Sequence, residues 1–268
     1  MGAALKTALV GALAAAGAAY AVVAQERPAA SGPPGYLGGA VPDFAVFIPA
    51  PPPIGSPADL ADVAAYERTR ALQGSPRWEL ATRDAATGPA AALENFSCAV
   101  GLKLDAATAP KLAHLLGRMS EDVRPVMDKG KANYRRPRPF VRIPGPICTD
   151  NSAAMADSWS YPSGHTIWGW GVALVLAALD PARATPILAR GKAYGDSRVV
   201  CGVHYVSDVE AGRTTGAALV SALHADPAFQ ADLAAARAEF EGLRQRGVAA
   251  PDPAQCAATN ATAAIPWQ

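Results

Sequence analysis

The central apolar stretch of this chain runs from Gly164 to Leu179, where Trp168, Trp170, Val172, Leu174, Val175 and Leu176 leave little polar face. A helix that is apolar nearly all round belongs in a core. This one stops at Asp180-Pro181, short of the roughly 20 residues needed to cross a bilayer, so it is predicted as a buried central helix. The segments around it carry apolar residues at helical spacing between clear start and stop signals. Ser56-Pro57 reads as an N-cap with proline at the first helical position, opening a helix through about Leu72, and Gly74 ends it. Ser75-Pro76 repeats the signal for a second helix carrying Trp78, Leu80 and Ala81, and a third covers roughly Ala90 to Val100. After Thr108, Leu112, Leu115, Leu116 and Met119 fall on one helical face. Ser120 reads as the cap of a further helix to about Tyr134, with Pro125 close enough to its start to be tolerated.

Pro137 and Pro139 bracket Arg138 and exclude helix there, and residues 142–161 read as irregular. Beyond the central helix, helices are predicted over Ala182–Tyr194 and His204–Leu223, and Asp226-Pro227 opens a last one ending near Gly247. No alternating strand pattern and no internal repeat is present. The predicted fold is all-α, a single-domain helical bundle over residues 56–247.

Outside that domain the patterning changes. Residues 1–24 read as an export leader: Lys6 is the positive segment, Thr7–Val23 the apolar one, and Val22-Val23-Ala24 a small-residue cleavage site before Gln25. That predicts a periplasmic or secreted chain with no stable membrane insertion once the leader is removed. Residues 25–55 form a Pro/Gly-rich arm ending in Pro51-Pro52-Pro53-Ile54-Gly55, and residues 248–268 a low-complexity tail. Alanine dominates the composition, and alanine is the best helix former. A formal net charge of +1 gives no field that would favour nucleic acid or an anionic membrane as partner. Cys98, Cys148, Cys201 and Cys256 suit disulfides in an exported chain, but four cysteines allow three pairings. None forms a C-x-x-C pair, and Cys201 reads as a buried or bridged thiol rather than a nucleophile.

The candidate chemistry lies in three blocks. Lys131 is followed after six residues by Arg138-Pro139; next comes Pro162-Ser163-Gly164-His165; last, Ser197-Arg198 precedes His204 and Asp208. A phosphate monoester needs its oxygens neutralised, a nucleophile in line with the ester bond and a proton for the leaving alkoxide. His204 and Asp208 are spaced i, i+4, which puts them on one face of the predicted helix. The carboxylate then fixes one imidazole tautomer and leaves the other nitrogen free to attack, forming a phosphohistidine that water hydrolyses. His165, at a helix start after Ser163-Gly164, is placed to protonate the leaving oxygen, where free backbone N–H groups also favour an anion. Arg138 and Arg198 can fork onto phosphate oxygens and Lys131 adds a point charge. With no cluster of metal-ligating residues, these cations are expected to stand in for a metal, and no cofactor is expected. His114 and His224 lack partner motifs and read as structural or solvent-facing.

The three blocks resemble the signature shared by type 2 phosphatidic-acid phosphatases and vanadium haloperoxidases. Phe96-Ser97-Cys98-Ala99, Arg138-Pro139-Phe140 and the run from Tyr194 to Gly202 look like the secreted bacterial class A non-specific acid phosphatases, a likeness extending from about Pro52 to Leu243. The resemblance implies that Lys131, Arg138, Ser163, Gly164 and Arg198 bind phosphate, that His165 is the general acid, His204 the nucleophile and Asp208 its orienting carboxylate. It also implies a metal-free, periplasmic, homo-oligomeric enzyme. Such an enzyme hydrolyses many phosphomonoesters (nucleotides, sugar phosphates, aryl phosphates) at acid pH, with phosphotransfer to alcohols. Lys129-(six)-Arg136-Pro137 satisfies the first block too, two residues earlier; Arg138-Pro139-Phe140 matches the family's continuation and favours the later frame. Trp159 stands where the family pattern has glycine, a position from which a ring would shift substrate choice towards stackable nucleotides. The competing readings are a vanadate-dependent haloperoxidase and a non-catalytic phosphate-binding module. An integral membrane lipid phosphatase would need several long apolar spans that the sequence lacks.

Overall fold

The computed structural model describes residues 33–149 and 155–264. The leader read over residues 1–24 lies outside them. Among the described residues every regular element is helical, as the absence of strand patterning predicts. Helix α1 spans Pro57–Arg70, α2 Pro76–Arg83, α3 Pro89–Val100, α4 Pro110–Tyr134 and α5 Pro139–Arg142. After them come α6 (Gly164–Leu179), α7 (Ala184–Val200), α8 (Val206–Leu223), α9 (Pro227–Gln245) and α10 (Pro253–Ala263). The start signals act locally. Ser56 accepts from Asp59 N at 3.3 Å, Ser75 from Trp78 N at 3.3 Å and Asp226 from Phe229 N at 2.9 Å. Each bond satisfies a backbone donor that the first helical turn leaves free.

Helix α6 is the axis of the bundle and packs chiefly against α7 and α8. Ile167, Val172, Val175 and Leu176 are buried and meet Leu112, Leu115, Leu116 and Met119 of α4 in one core with Phe229, Phe240 and Leu243 of α9. Burial of each such side chain contributes on the order of 1.5–3 kcal/mol. Missing side chains let the backbones close in: a Cβ on Gly212 of α8 would lie 2.8 Å from Ser163 O, and one on Gly216 2.8 Å from Ile167 O. That approach sets the start of α6 beside the start of α8, where Ser163 N donates to Asp208 O at 3.0 Å.

Several boundaries differ from the sequence expectation. The two helices expected around Ser120 are one helix, α4, with Pro125 inside it. Ser120 does not cap; its hydroxyl donates back to Gly117 O at 2.7 Å, and Val123 and Val126 beyond it are buried, so core packing carries the helix through the proline. A single helical turn, α5, begins at Pro139, where a proline's missing N–H costs nothing. Helix α7 continues past Tyr194 to Val200, which places Ser197 and Arg198 in its last turns. Helix α8 begins at Val206, not at His204. At the C-terminal end, residues assigned no element form α10, joined to α3 by the Cys98–Cys256 disulfide. In the arm, Tyr36, Phe44 and Ile48 are buried against the body. Asp122 of α4 ties the arm down by accepting from Tyr36 N at 2.8 Å and Leu37 N at 3.0 Å.

Candidate active site

His204 lies just ahead of α8, two residues before its first turn, because Tyr205 has extended backbone with ψ 164°. The His204–Asp208 pair is therefore not made across a helical face, as the i, i+4 spacing suggested. It is made through the cap: Asp208, in the first turn, accepts from Tyr205 N at 2.9 Å and from His204 Nδ1 at 3.3 Å with the same Oδ2. The carboxylate can only accept here, so Nδ1 carries the proton and Nε2 keeps the lone pair. Ser160 Oγ also donates to Asp208 Oδ2 and lies 3.3 Å from His204 Nδ1. Both members of the pair are buried.

Three cations act on this ring, Arg138, Arg198 and Lys131. Arg138 holds Nη1 3.1 Å from His204 Nε2. Its plane is set by Nε donating to Met155 O at 3.0 Å and Ser158 O at 2.9 Å, and by Nη1 donating to Val203 O at 2.8 Å. Lys131, near the end of α4, donates to Ser158 Oγ at 3.0 Å, a hydroxyl it shares with Arg138 Nη2 at 3.2 Å. Arg198 is 1 % exposed, and among the described residues its Nε and Nη1 have no hydrogen-bond partner. A buried guanidinium with unmatched donors costs several kcal/mol unless an anion arrives to meet it. Burial lowers the pKa of all three, Lys131 to about 8 and Arg138 and Arg198 to about 10, with Arg138 adding to the shift of Lys131 and Arg198 to that of Arg138. All three stay charged in acid, an arrangement suited to an anion.

His165 occupies the first turn of α6. Its Nε2 donates to Ala85 O at 3.0 Å, leaving Nδ1 as the nitrogen open to a substrate. Burial, then Arg198, His204 and Arg138, push its pKa well below the ordinary 6.5, and His204 is pushed down by burial and by Arg138, Arg198 and Lys131. Ser163 is buried and caps α6, accepting from Thr166 N at 3.4 Å. Gly164 has a steric reason to lack a side chain: a Cβ would lie 2.2 Å from Met127 Sδ. Seven of the eight sequence-predicted site residues (all but Gly164) are tied into this cluster by a hydrogen bond or charge contact, and Gly164 lies between two of them.

The structure also separates the two frames of the first block. Lys129 faces outwards and pairs with Asp43 at 3.2 Å, while Arg136 turns inwards behind the site to Asp208 at 2.6 Å. Arg136 and Ser160, both touching Asp208, were missed as site residues; the doubled Lys-(six)-Arg-Pro frame was the one sequence trace of Arg136. Trp159 is 41 % exposed between Ser158 and Ser160, whose hydroxyls both turn inwards. Cys201 is bridged to Cys148, which ties the turn between Arg198 and His204 to the segment after α5. Among the described residues no three of His, Cys, Asp and Glu converge as metal ligands, and no helix is long and apolar enough to cross a membrane.

Residues 121–230, which contain all three blocks, match the PAP2 superfamily. An acid phosphatase of Zymomonas mobilis is 43% identical over 203 residues, covering 75% of this chain and 77% of the relative. A non-specific acid phosphatase of Providencia stuartii is 38% identical over 205 residues, covering 76% and 83% of the two chains. One from Salmonella typhimurium is 37% identical over 196 residues, covering 72% and 78%.

Proposed function

This chain belongs to the bacterial acid phosphatases of the PAP2 superfamily and is a phosphoric monoester hydrolase, and we propose that it works through a phosphohistidine on His204. The observation that carries this reading is the unmatched, buried Arg198 beside Arg138 and Lys131, around an imidazole whose Nε2 is kept unprotonated by Asp208. The phosphoryl oxygens take the donors of Arg138, Arg198 and Lys131 and the backbone at Ser163-Gly164. His204 Nε2 bonds to phosphorus as the P–O bond to the leaving group breaks, and His165 Nδ1 gives that oxygen its proton. Water then gives a proton back to His165 and attacks phosphorus; the P–N bond breaks and His204 is regenerated. An alcohol in place of that water would take the phosphoryl group, which is the route to phosphotransfer.

The substrates are small phosphate monoesters, and the charge on the transferred group is met by side chains without a metal. The leader and the disulfides support a periplasmic or secreted enzyme. A panel of nucleotide, sugar and aryl phosphates assayed with vanadate and with EDTA tests the reading. Hydrolysis of several esters, inhibited by vanadate and untouched by EDTA, is the expected result. Activity that requires vanadate and peroxide would replace it with the haloperoxidase reading, and binding without turnover would replace it with the phosphate-binding module.

The two histidines make anion binding depend on pH. With the site empty, burial and the cations hold both rings neutral. A bound dianion offsets the cations and raises the pKa of His165, so binding takes up a proton. Affinity is then full below the free-enzyme pKa and is lost as pH rises through the pKa of the complex. Sulfate, whose own charge is constant over this range, should inhibit progressively better from pH 7 down to pH 4. A flat profile, or inhibition that weakens in acid, would contradict the placement of His165 beside the phosphate.

A further inference from the structure

Asp62, on α1, lies outside all three sequence blocks, yet it is joined to the nucleophilic histidine by a continuous charged chain. Arg136 donates from Nη1 to Asp208 Oδ1 at 2.6 Å and from Nη2 to Asp62 Oδ2 at 2.9 Å. The guanidinium is 6 % exposed and the two carboxylates 0 % and 4 %. Its carbon lies 4.0 Å from the centroid of the Tyr205 ring, which fixes the plane of the fork. Asp62 is itself held at the start of α8, accepting from Ser207 N at 3.0 Å and from Ser207 Oγ. Asp59 comes within 3.7 Å of Arg136, but its carboxylate is engaged by Arg142 at 2.7 Å.

The charge balance of this chain explains why a second carboxylate is present. Arg136 alone would clamp Asp208 in place but neutralise it, leaving nothing to favour positive charge on His204. With Asp62 on the other arm of the fork, one guanidinium meets two carboxylates and the group keeps a net negative charge behind the imidazole. Asp208 Oδ1 is held by Arg136, so that only Oδ2 faces His204 Nδ1 and the carboxylate cannot swing towards the phosphate cations. We propose that Asp62 and Arg136 are positioning residues for phosphoryl transfer, holding Asp208 and keeping it anionic in effect as the His204 ring gains charge on forming its P–N bond. This rests on the phosphohistidine reading above.

The test is rapid-quench measurement of phosphohistidine formation from a labelled aryl phosphate, in the full chain carrying Asp62→Asn. The rate should fall roughly 10–100-fold, by analogy with removal of the outer partner of a metal-bound imidazole. Inhibition by inorganic phosphate should move less than about twofold, because Lys131, Arg138 and Arg198 are untouched. In an Asp208→Asn background the same substitution should cost almost nothing more, since a positioning residue acts through the group it positions. Where Asp62→Asn does not fold, Arg136→Lys, which keeps the charge and loses the fork, is read in the same way. An unchanged rate, or equal losses in both backgrounds, would overturn the proposal while leaving the phosphohistidine reading intact. If the unsubstituted enzyme forms no alkali-stable phosphohistidine, that reading falls and this one with it.

Discussion

His204→Ala is expected to lower turnover on the order of 10⁶-fold, the loss seen when the nucleophile of a catalytic unit that acts as one is removed. No neighbour can replace it. Arg138 lies 3.1 Å from its Nε2 and the charges acting on the ring are Arg138, Arg198 and Lys131, all cations, and the hydroxyl of Ser160 is committed to Asp208 on the far side of the ring. His165 is held by Ala85 O in another orientation. Phosphate affinity should survive, because the three cations are fixed by other contacts: Arg138 by backbone carbonyls, Lys131 by Ser158 and Arg198 by burial. The measurement is kcat on an aryl phosphate beside the inhibition constant of inorganic phosphate. Lost kcat with phosphate inhibition kept within a fewfold identifies a nucleophile. Turnover within tenfold of the parent would remove His204 from that role.

Asp208→Asn is expected to cost on the order of 10⁴-fold in kcat, by analogy with the orienting carboxylate of a serine protease triad. The size follows from hydrogen-bond direction. Oδ1 faces a donor, Arg136 Nη1, and Oδ2 faces three, Tyr205 N, Ser160 Oγ and His204 Nδ1. An amide has one acceptor oxygen and one NH₂, so either orientation sets donor against donor. If the NH₂ faces His204, the proton must move from Nδ1 to Nε2 and the attacking lone pair is lost. If the NH₂ faces Arg136, the tautomer is kept but two buried donors meet, while Asp62 remains as the counter-charge of Arg136. The measurement is kcat beside thermal unfolding: a slow variant that unfolds close to the parent has lost rate through the wrong tautomer and not through its fold. Full activity would mean that Asp208 does not set the tautomer.

What was legible in the sequence is what short-range chemistry controls. Ser-Pro and Asp-Pro starts located α1, α2 and α9 because a cap needs only the donors two or three residues ahead. The apolar run of α6 announced its burial because no face could be left to water. The continuity of α4 through Ser120 could not be read that way, since the choice between two helices and one depended on what Val123 and Val126 would pack against. The same holds for α10, whose apolar content is too weak to require a helix and whose anchor is a cysteine far off in the chain.

By itself, then, the sequence determined the helical class, the three blocks and the residue types able to hold and attack a phosphate. Resemblance favoured the later of the two Lys-(six)-Arg frames, and the tertiary structure supplied the physical reason: Lys129 and Lys131 lie two residues apart, about 200° around a helix of 3.6 residues per turn, and packing chose the phase that turns Lys131 inwards and Lys129 to Asp43. Only the tertiary structure decided the cysteine pairing, and it recruited Asp62 and Arg136 behind Asp208. Local signals act over one or two helical turns, whereas these contacts join segments that only the closed bundle brings together.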